Sequence, residues 1–277
     1  MAGKNVLIVY AHQSSGSFNA AAKDVAVKVL TEKGCTVDVS DLYEINFKAT
    51  ATVEDITGGV KDPDCFSYAE ETKLAWEEDK LSSDIVKEQS KLKKADLVIF
   101  QFPMYWFSVP AIMKGWIDRV LTLGFAFSPE KRYSEGMFRD KKAILSFTTG
   151  SFESMFSPNA INGDMNVTLW PLQNGILHYC GFQVLGPQIF WAPAHVSRSD
   201  CSTMLDGWRA RLQNLLNEQP IDFPLLEYFE KDTGFQLKPE IVELRATEEL
   251  GISVGIHQGK KVPPNNQMRW HVKENRF

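Results

Sequence analysis

Three apolar runs of strand length, Asn5–Ala11, Leu97–Phe102 and Lys142–Phe147, each end in a turn and lead on towards a segment with helical spacing. A run apolar at every position suits a strand covered on both faces, as in a parallel sheet. After the first run, His12–Asn19 is turn-rich, Ala and Val recur at helical spacing over Phe18–Leu30, and Gly34 is placed as a C-cap. Cys35–Val39 reads as a second strand. Ala49–Ser90 is a polar excursion with a short helix, ending in the helix that precedes Leu97. The spacing further predicts helices over Ala111–Leu121, Asn166–Cys180 and Cys201–Glu218, and a last strand over Gln183–Trp191. Alternation of this kind predicts an α/β, doubly wound parallel sheet. Short right-handed crossovers then bring the turns after Ala11, Phe102 and Phe147 to one edge. Beyond Pro220 the pattern gives way to a small appended segment, 221–277, rich in Pro, Lys and Glu.

The 277 residues are 44% hydrophobic and 12% aromatic, enough for a sizeable core. A formal net charge of -5 argues against a general nucleic-acid binder, which carries a basic surface. Cys35, Cys65, Cys180 and Cys201 lack metal-ligand spacing, and reduced thiols in the cytosol are expected. The start of the chain runs directly into a strand, so no signal peptide is expected. Asp96, Gln101, Pro103, Ser108 and Pro110 interrupt the apolar run Ala95–Met113, which excludes it as a membrane span.

Three loops could carry chemistry. The first, His12–Asn19, ends at a helix N-terminus, where free backbone N–H groups favour a phosphate and Ser14, Ser15 and Ser17 add donors. A Ser-rich helix cap is equally ordinary, and a P-loop is excluded because its Gly-Lys-Ser/Thr ending is missing. The second is the turn Pro103-Met104-Tyr105-Trp106-Phe107-Ser108-Val109-Pro110. Burying one large apolar side chain is worth ~1.5–3 kcal/mol, so these aromatics should lie on core or on a flat ligand at the strand end, where open sheets bind ligands. The third, Thr148-Thr149-Gly150-Ser151, offers small residues where a backbone can approach a planar group. Together the loops favour a flavin.

The strings Val6–His12, Ser17-Phe18-Asn19, Ser40–Tyr43, Asp55–Gly58, Ala95–Gly115, Asn162-Gly163-Asp164, Leu169–Gln173 and Leu177–Phe182 give the chain a close resemblance to the NAD(P)H:quinone dehydrogenase (DT-diaphorase) family. The resemblance covers about Ala2–Pro220. In the tail, Gly251–Gly255 and Asn266-Gln267 resemble the longer, NAD(P)H-using branch. It implies a flavodoxin-like fold with residues 1–220 as an FAD-binding catalytic domain and 221–277 near the dinucleotide and substrate site. It also implies a cytosolic homodimer with active sites at the subunit interface, without nucleic-acid partner or membrane insertion. The reaction implied is ping-pong two-electron reduction of quinones by NAD(P)H.

Carried over by position, His12, Ser17, Phe18, Asn19, Pro103, Met104, Tyr105, Trp106, Phe107, Thr148, Thr149, Gly150, Ser151 and Leu205 hold FAD. Trp106, Phe107, Ala126, Phe127, Ser128, Tyr179 and His195 line the substrate cavity. The relay positions, beside Gly150, carry Phe156 and Asn162 where the NAD(P)H-using enzymes have Tyr and His. Phe156 cannot donate a hydrogen bond, and Asn162 cannot take up a proton near neutral pH. Further departures are Ser151 for Gly, Pro129 for a gating residue, Ser67 for Gln, and Cys201 for an Arg that Arg198 could replace. His178 lacks partner ligands, with Asn174 and Phe223 in their places, so it reads as a core or interface histidine and no metal is expected. Two alternatives stay open: a flavoprotein of weakened catalysis that acts through a binding partner, and a reductase preferring a smaller dihydronicotinamide donor.

Overall fold

The computed structural model describes residues 3–157 and 159–246. The tail strings Gly251–Gly255 and Asn266-Gln267 lie outside them.

Five strands follow the apolar runs: β1 (Asn5–Tyr10), β2 (Thr36–Asp41), β3 (Leu97–Pro103), β4 (Lys142–Thr148) and β5 (Gln183–Val184), with a sixth, β6 (Gln188–Phe190). They form one sheet in the order β2-β1-β3-β4-β5, with β6 also on β4, and every pairing is parallel. Period-two geometry sends alternate side chains to opposite faces. Leu7 and Val9 of β1 enter one core with Phe100, Phe102, Trp116 and Leu145. Val6, Ile8 and Tyr10 enter the other with Leu30, Ile99, Ile144 and Trp208. Helices cover both faces, as a continuously apolar strand requires.

Around the sheet lie α1 (Phe18–Glu32), α2 (Tyr68–Glu77), α3 (Ser83–Lys94), α4 (Ala111–Val120), α5 (Met165–Leu172) and α6 (Arg198–Leu212). Ser17 caps α1, its Oγ accepting from Ala20 N–H at 3.1 Å. Gly34, at φ +79°, follows its C-terminus. Three expectations need correction. The last strand is two pieces, because Gly186-Pro187 interrupts the run and Pro187 has no N–H for the ladder. The Asn166–Cys180 helix is α-helical only to Leu172. Pro171 removes one helical donor, and Gln173–His178 widens into a π-helix. The Cys201–Glu218 helix instead begins at Arg198, on a capping box between Ser197 and Asp200, and ends at Leu212.

The chain divides into two compact units, Met1–Phe223 and Pro224–Phe277. Ile221 still donates to the Val184 carbonyl at 2.8 Å, within the first unit. In the second, β7 (Phe229–Glu230) and β8 (Gln236–Leu237) pair as a hairpin with Gly234 at φ +78°, and α7 (Pro239–Arg245) opens on a proline. Among the described residues no helix is long and apolar enough to cross a membrane.

Candidate active site

The strand ends β1, β3 and β4 converge on a cleft of about 390 Å3, lined by His12, Ser17, Phe18, Asn19, Pro103, Met104, Tyr105, Thr148, Thr149, Gly150, Pro193 and Ala194. Ten of the sequence-derived cofactor residues are among these. The size falls in the range of small-molecule sites, ~300–1,000 Å3. His12 Nδ1 accepts from Ser14 N–H at 3.0 Å, so the neutral ring carries its hydrogen on Nε2. Burial pushes its pKa down, favouring that neutral form. The N-terminus of α1 stands beside it, with the positive end of the helix dipole. A Cβ added at Gly150 would meet nothing within 4 Å, so the backbone there faces open space. Thr149 is pinned, its Oγ1 donating to Ser151 O at 2.7 Å and accepting from Ala192 N at 3.1 Å.

The aromatic turn closes on itself, Tyr105 and Ser108 exchanging both backbone hydrogen bonds at 3.0 Å. Its two central residues are Trp106 (φ +49°) and Phe107 (φ +59°). Two successive residues in the left-handed region make a turn that normally takes Asn or Gly. Backbone strain of ~1–3 kcal/mol per residue persists mainly where function uses it. Trp106 is 97% exposed and Phe107 48%. Phe107 packs 6.0 Å from Phe156, which lies 5.5 Å from Trp191. Phe156 therefore occupies an aromatic stack rather than offering a donor. Asn162 is tied to the same loop through its N–H, which donates to Met155 O at 3.0 Å.

The substrate candidates divide. Phe127 and Tyr179, with rings 5.4 Å apart, share a second cavity of about 250 Å3 with Tyr68, Thr72, Ile117 and Ile176, and it includes none of the residues of the first cleft. Ala126 is fully buried and lines neither cavity. Ser128 Oγ accepts from Lys131 N–H at 3.0 Å and donates to Glu130 Oε2 at 3.0 Å in an exposed turn. His195 is exposed beside Ala194, its ring 6.2 Å from Phe152. Leu205 sits on α6 against the second core rather than in the cleft. A larger cavity of about 550 Å3, between Trp76, Phe125, Phe138 and Lys93, gathers none of the candidates.

His178 is buried, stacked on Phe223 with centroids 4.4 Å apart and planes within 12°, and burial lowers its pKa to about 4. Among the described residues no group of three His, Cys, Asp or Glu side chains could hold a metal ion. All four cysteines remain thiols. Sequence reasoning missed Trp191, Pro193, Ala194, Gln101 and Ser146. The last two had a signal, as polar residues inside apolar strands.

A family model described as a flavodoxin-like fold matches residues 4–212. NAD(P)H dehydrogenase (quinone) 1 of Rattus norvegicus is 48% identical over 271 residues, 97% of this chain and 99% of the relative. Ribosyldihydronicotinamide dehydrogenase (quinone) of Homo sapiens is 53% identical over 221 residues, 80% of this chain and 96% of its own length. A crystallised protein of Klebsiella pneumoniae, described as a candidate quinone reductase, superposes with a TM-score of 0.78 at 38% identity, covering 86% of this chain and 93% of its own.

Proposed function

The chain belongs to the flavodoxin-like family of NAD(P)H:quinone dehydrogenases, and from that premise we propose that it binds FAD and reduces quinones by two electrons in a ping-pong cycle with NAD(P)H. The observation that carries the reading is the cleft at the ends of β1, β3 and β4, where a helix N-terminus, open backbone at Gly150 and an exposed aromatic turn meet. These features fit a flavin: donors for its phosphates at one end, and flat surface with unobstructed backbone at the other.

Bound FAD would supply the hydride chemistry, taking a hydride from NAD(P)H and passing it to a quinone. The protein's task is to bind, orient and exclude water. In this reading Ser17, Phe18, Asn19 and the His12 Nε2–H hold the phosphate end. Pro103, Met104, Tyr105, Thr148, Thr149 and Gly150 hold the ring. Trp106 and Phe107 form the wall shared with the substrate.

Large apolar side chains left this exposed mark a surface that meets another molecule. Phe127 and Tyr179 line a cavity apart from the cleft. Both facts are accounted for if two copies pair so that each completes the other's site, in a cytosolic homodimer.

At the relay Phe156, which offers no donor, is the graver departure, and Asn162 alone is compatible with catalysis. Losing one preorganised donor costs ~2.7–4 kcal/mol of barrier, so turnover is slow for a site of this kind. The 53% identity to a ribosyldihydronicotinamide dehydrogenase over 80% of the chain favours a second reading, a smaller dihydronicotinamide donor. Stopped-flow absorbance of the FAD-loaded protein separates these. Bleaching by NADH or NADPH and recovery on adding a quinone are expected. Bleaching only by the truncated donor would select the second reading, and a protein that takes up no FAD would sink both.

A further inference from the structure

Four buried polar side chains form a line beneath the cleft. Gln101 of β3 and Ser146 of β4 stand opposite each other in register. Ser146 Oγ donates to Gln101 Oε1 at 2.7 Å, Gln101 Nε2 donates to Asn19 Oδ1 at 2.9 Å, and Asn19 Nδ2 donates to Thr148 Oγ1 at 2.9 Å. All four residues are buried, and Ser146 has no exposed surface. A buried polar group left unpaired is destabilising, so each link constrains the next. Each amide accepts at its oxygen and donates at its nitrogen, which gives the line one direction. It ends at Thr148, whose oxygen is already an acceptor. Among the described residues no acceptor takes the Thr148 hydroxyl hydrogen, and Thr148 lines the cleft.

We propose that Ser146 and Gln101 are positioning residues that hold the Thr148 hydroxyl as a hydrogen-bond donor to the flavin in the cleft, and so favour the reduced flavin. This rests on the flavin reading above. A flavin gains electron density on reduction, and a donor already oriented meets that charge without reorganising. Ser146 anchors the β4 end of the line by donating to Gln101 Oε1, and without that hydroxyl the Gln101 amide loses its partner on β4 and is free to turn. A flipped Gln101 would turn Asn19 with it, present Asn19 Oδ1 to Thr148, and draw the hydroxyl hydrogen away from the cleft.

The test compares the FAD-loaded wild type with Ser146→Ala, Thr148→Val and the double variant, reading flavin midpoint potential and affinity. Thr148→Val should lower the affinity for reduced relative to oxidised flavin about tenfold, a shift of ~30 mV for a two-electron couple. Ser146→Ala should shift it in the same direction, the double variant no further than Thr148→Val alone, and Thr148→Ser should restore the wild-type value. In the flavin-free protein, Ser146→Ala should also speed exchange of the Asn19 side-chain amide. An unchanged potential in Ser146→Ala, a shift of opposite sign, or additive shifts in the double variant would overturn the relay. A wild type that retains no flavin would overturn the flavin reading instead.

Discussion

Trp106 and Trp116 lie ten residues apart in one strand–turn–helix passage and end at opposite extremes. Trp116 is fully buried on α4, its ring 5.8 Å from Phe100 and its indole N–H donating to Glu88 Oε2 at 2.8 Å. One helical turn on, Arg119 is 1% exposed and pairs with both oxygens of Asp55 at 2.9 and 3.0 Å and with Asp84 at 2.7 Å. Trp106 is held in the open by a left-handed backbone. The same residue type thus does two jobs. On α4 every polar atom near it is answered within the chain, which is the mark of a side chain serving the fold. At the turn only the backbone is answered and the Trp106 ring stays exposed on a strained backbone, the side chain that the proposed function assigns to another molecule.

The contrast breaks first at Trp116. Trp116→Ala should lower the unfolding free energy by about 3–5 kcal/mol, read from the urea midpoint, while Trp106→Ala stays within about 0.5 kcal/mol. Equal losses would end the distinction. The next largest effect tests the site side. Phe156→Tyr with Asn162→His should raise quinone turnover by up to about 2.7–4 kcal/mol in barrier, and an unchanged kcat would remove the relay positions from the account.

Two histidines extend the comparison to pH. His178, with its pKa near 4 when folded and about 6.5 when unfolded, binds a proton between those values only in the unfolded chain. Its contribution is therefore complete above pH 6.5 and is lost towards pH 4, at up to about 1.4 kcal/mol per pH unit. His178→Phe should flatten that slope in pH-dependent unfolding. His12, facing the cleft, should affect FAD affinity instead. The smallest effect returns to the turn. Trp106→Gly should gain about 1 kcal/mol of stability by relieving the positive φ and weaken quinone binding, seen as a raised KM.

The sequence shows strands best where burial is complete: β1, β3 and β4 are mostly apolar runs, and the turns that follow β1 and end β3 and β4 bring Asn19, Pro103 and Thr148 into one cleft. It hides what depends on a single backbone group. Pro187 splits the last strand and Pro171 precedes the π-helix because each removes one N–H, a change that hydrophobic spacing does not register. Gln101 and Ser146 pass as interruptions in apolar strands until the register sets them face to face. Phe127 and Tyr179 read as part of one cavity with Trp106, although they line a cavity that does not include it.

Gly136 and Gly181 touch backbone to backbone: a Cβ on Gly136 would come within 2.4 Å of Gly181 Cα, and one on Gly181 within 2.7 Å of Gly136. Neither position can change first, and changing both only doubles the obstruction. For a lineage drifting through sequence space this is a locked door rather than a slope. The segment that reaches Tyr179 can diverge around the contact, but its docking point cannot move, so variety among descendants of this chain should gather elsewhere.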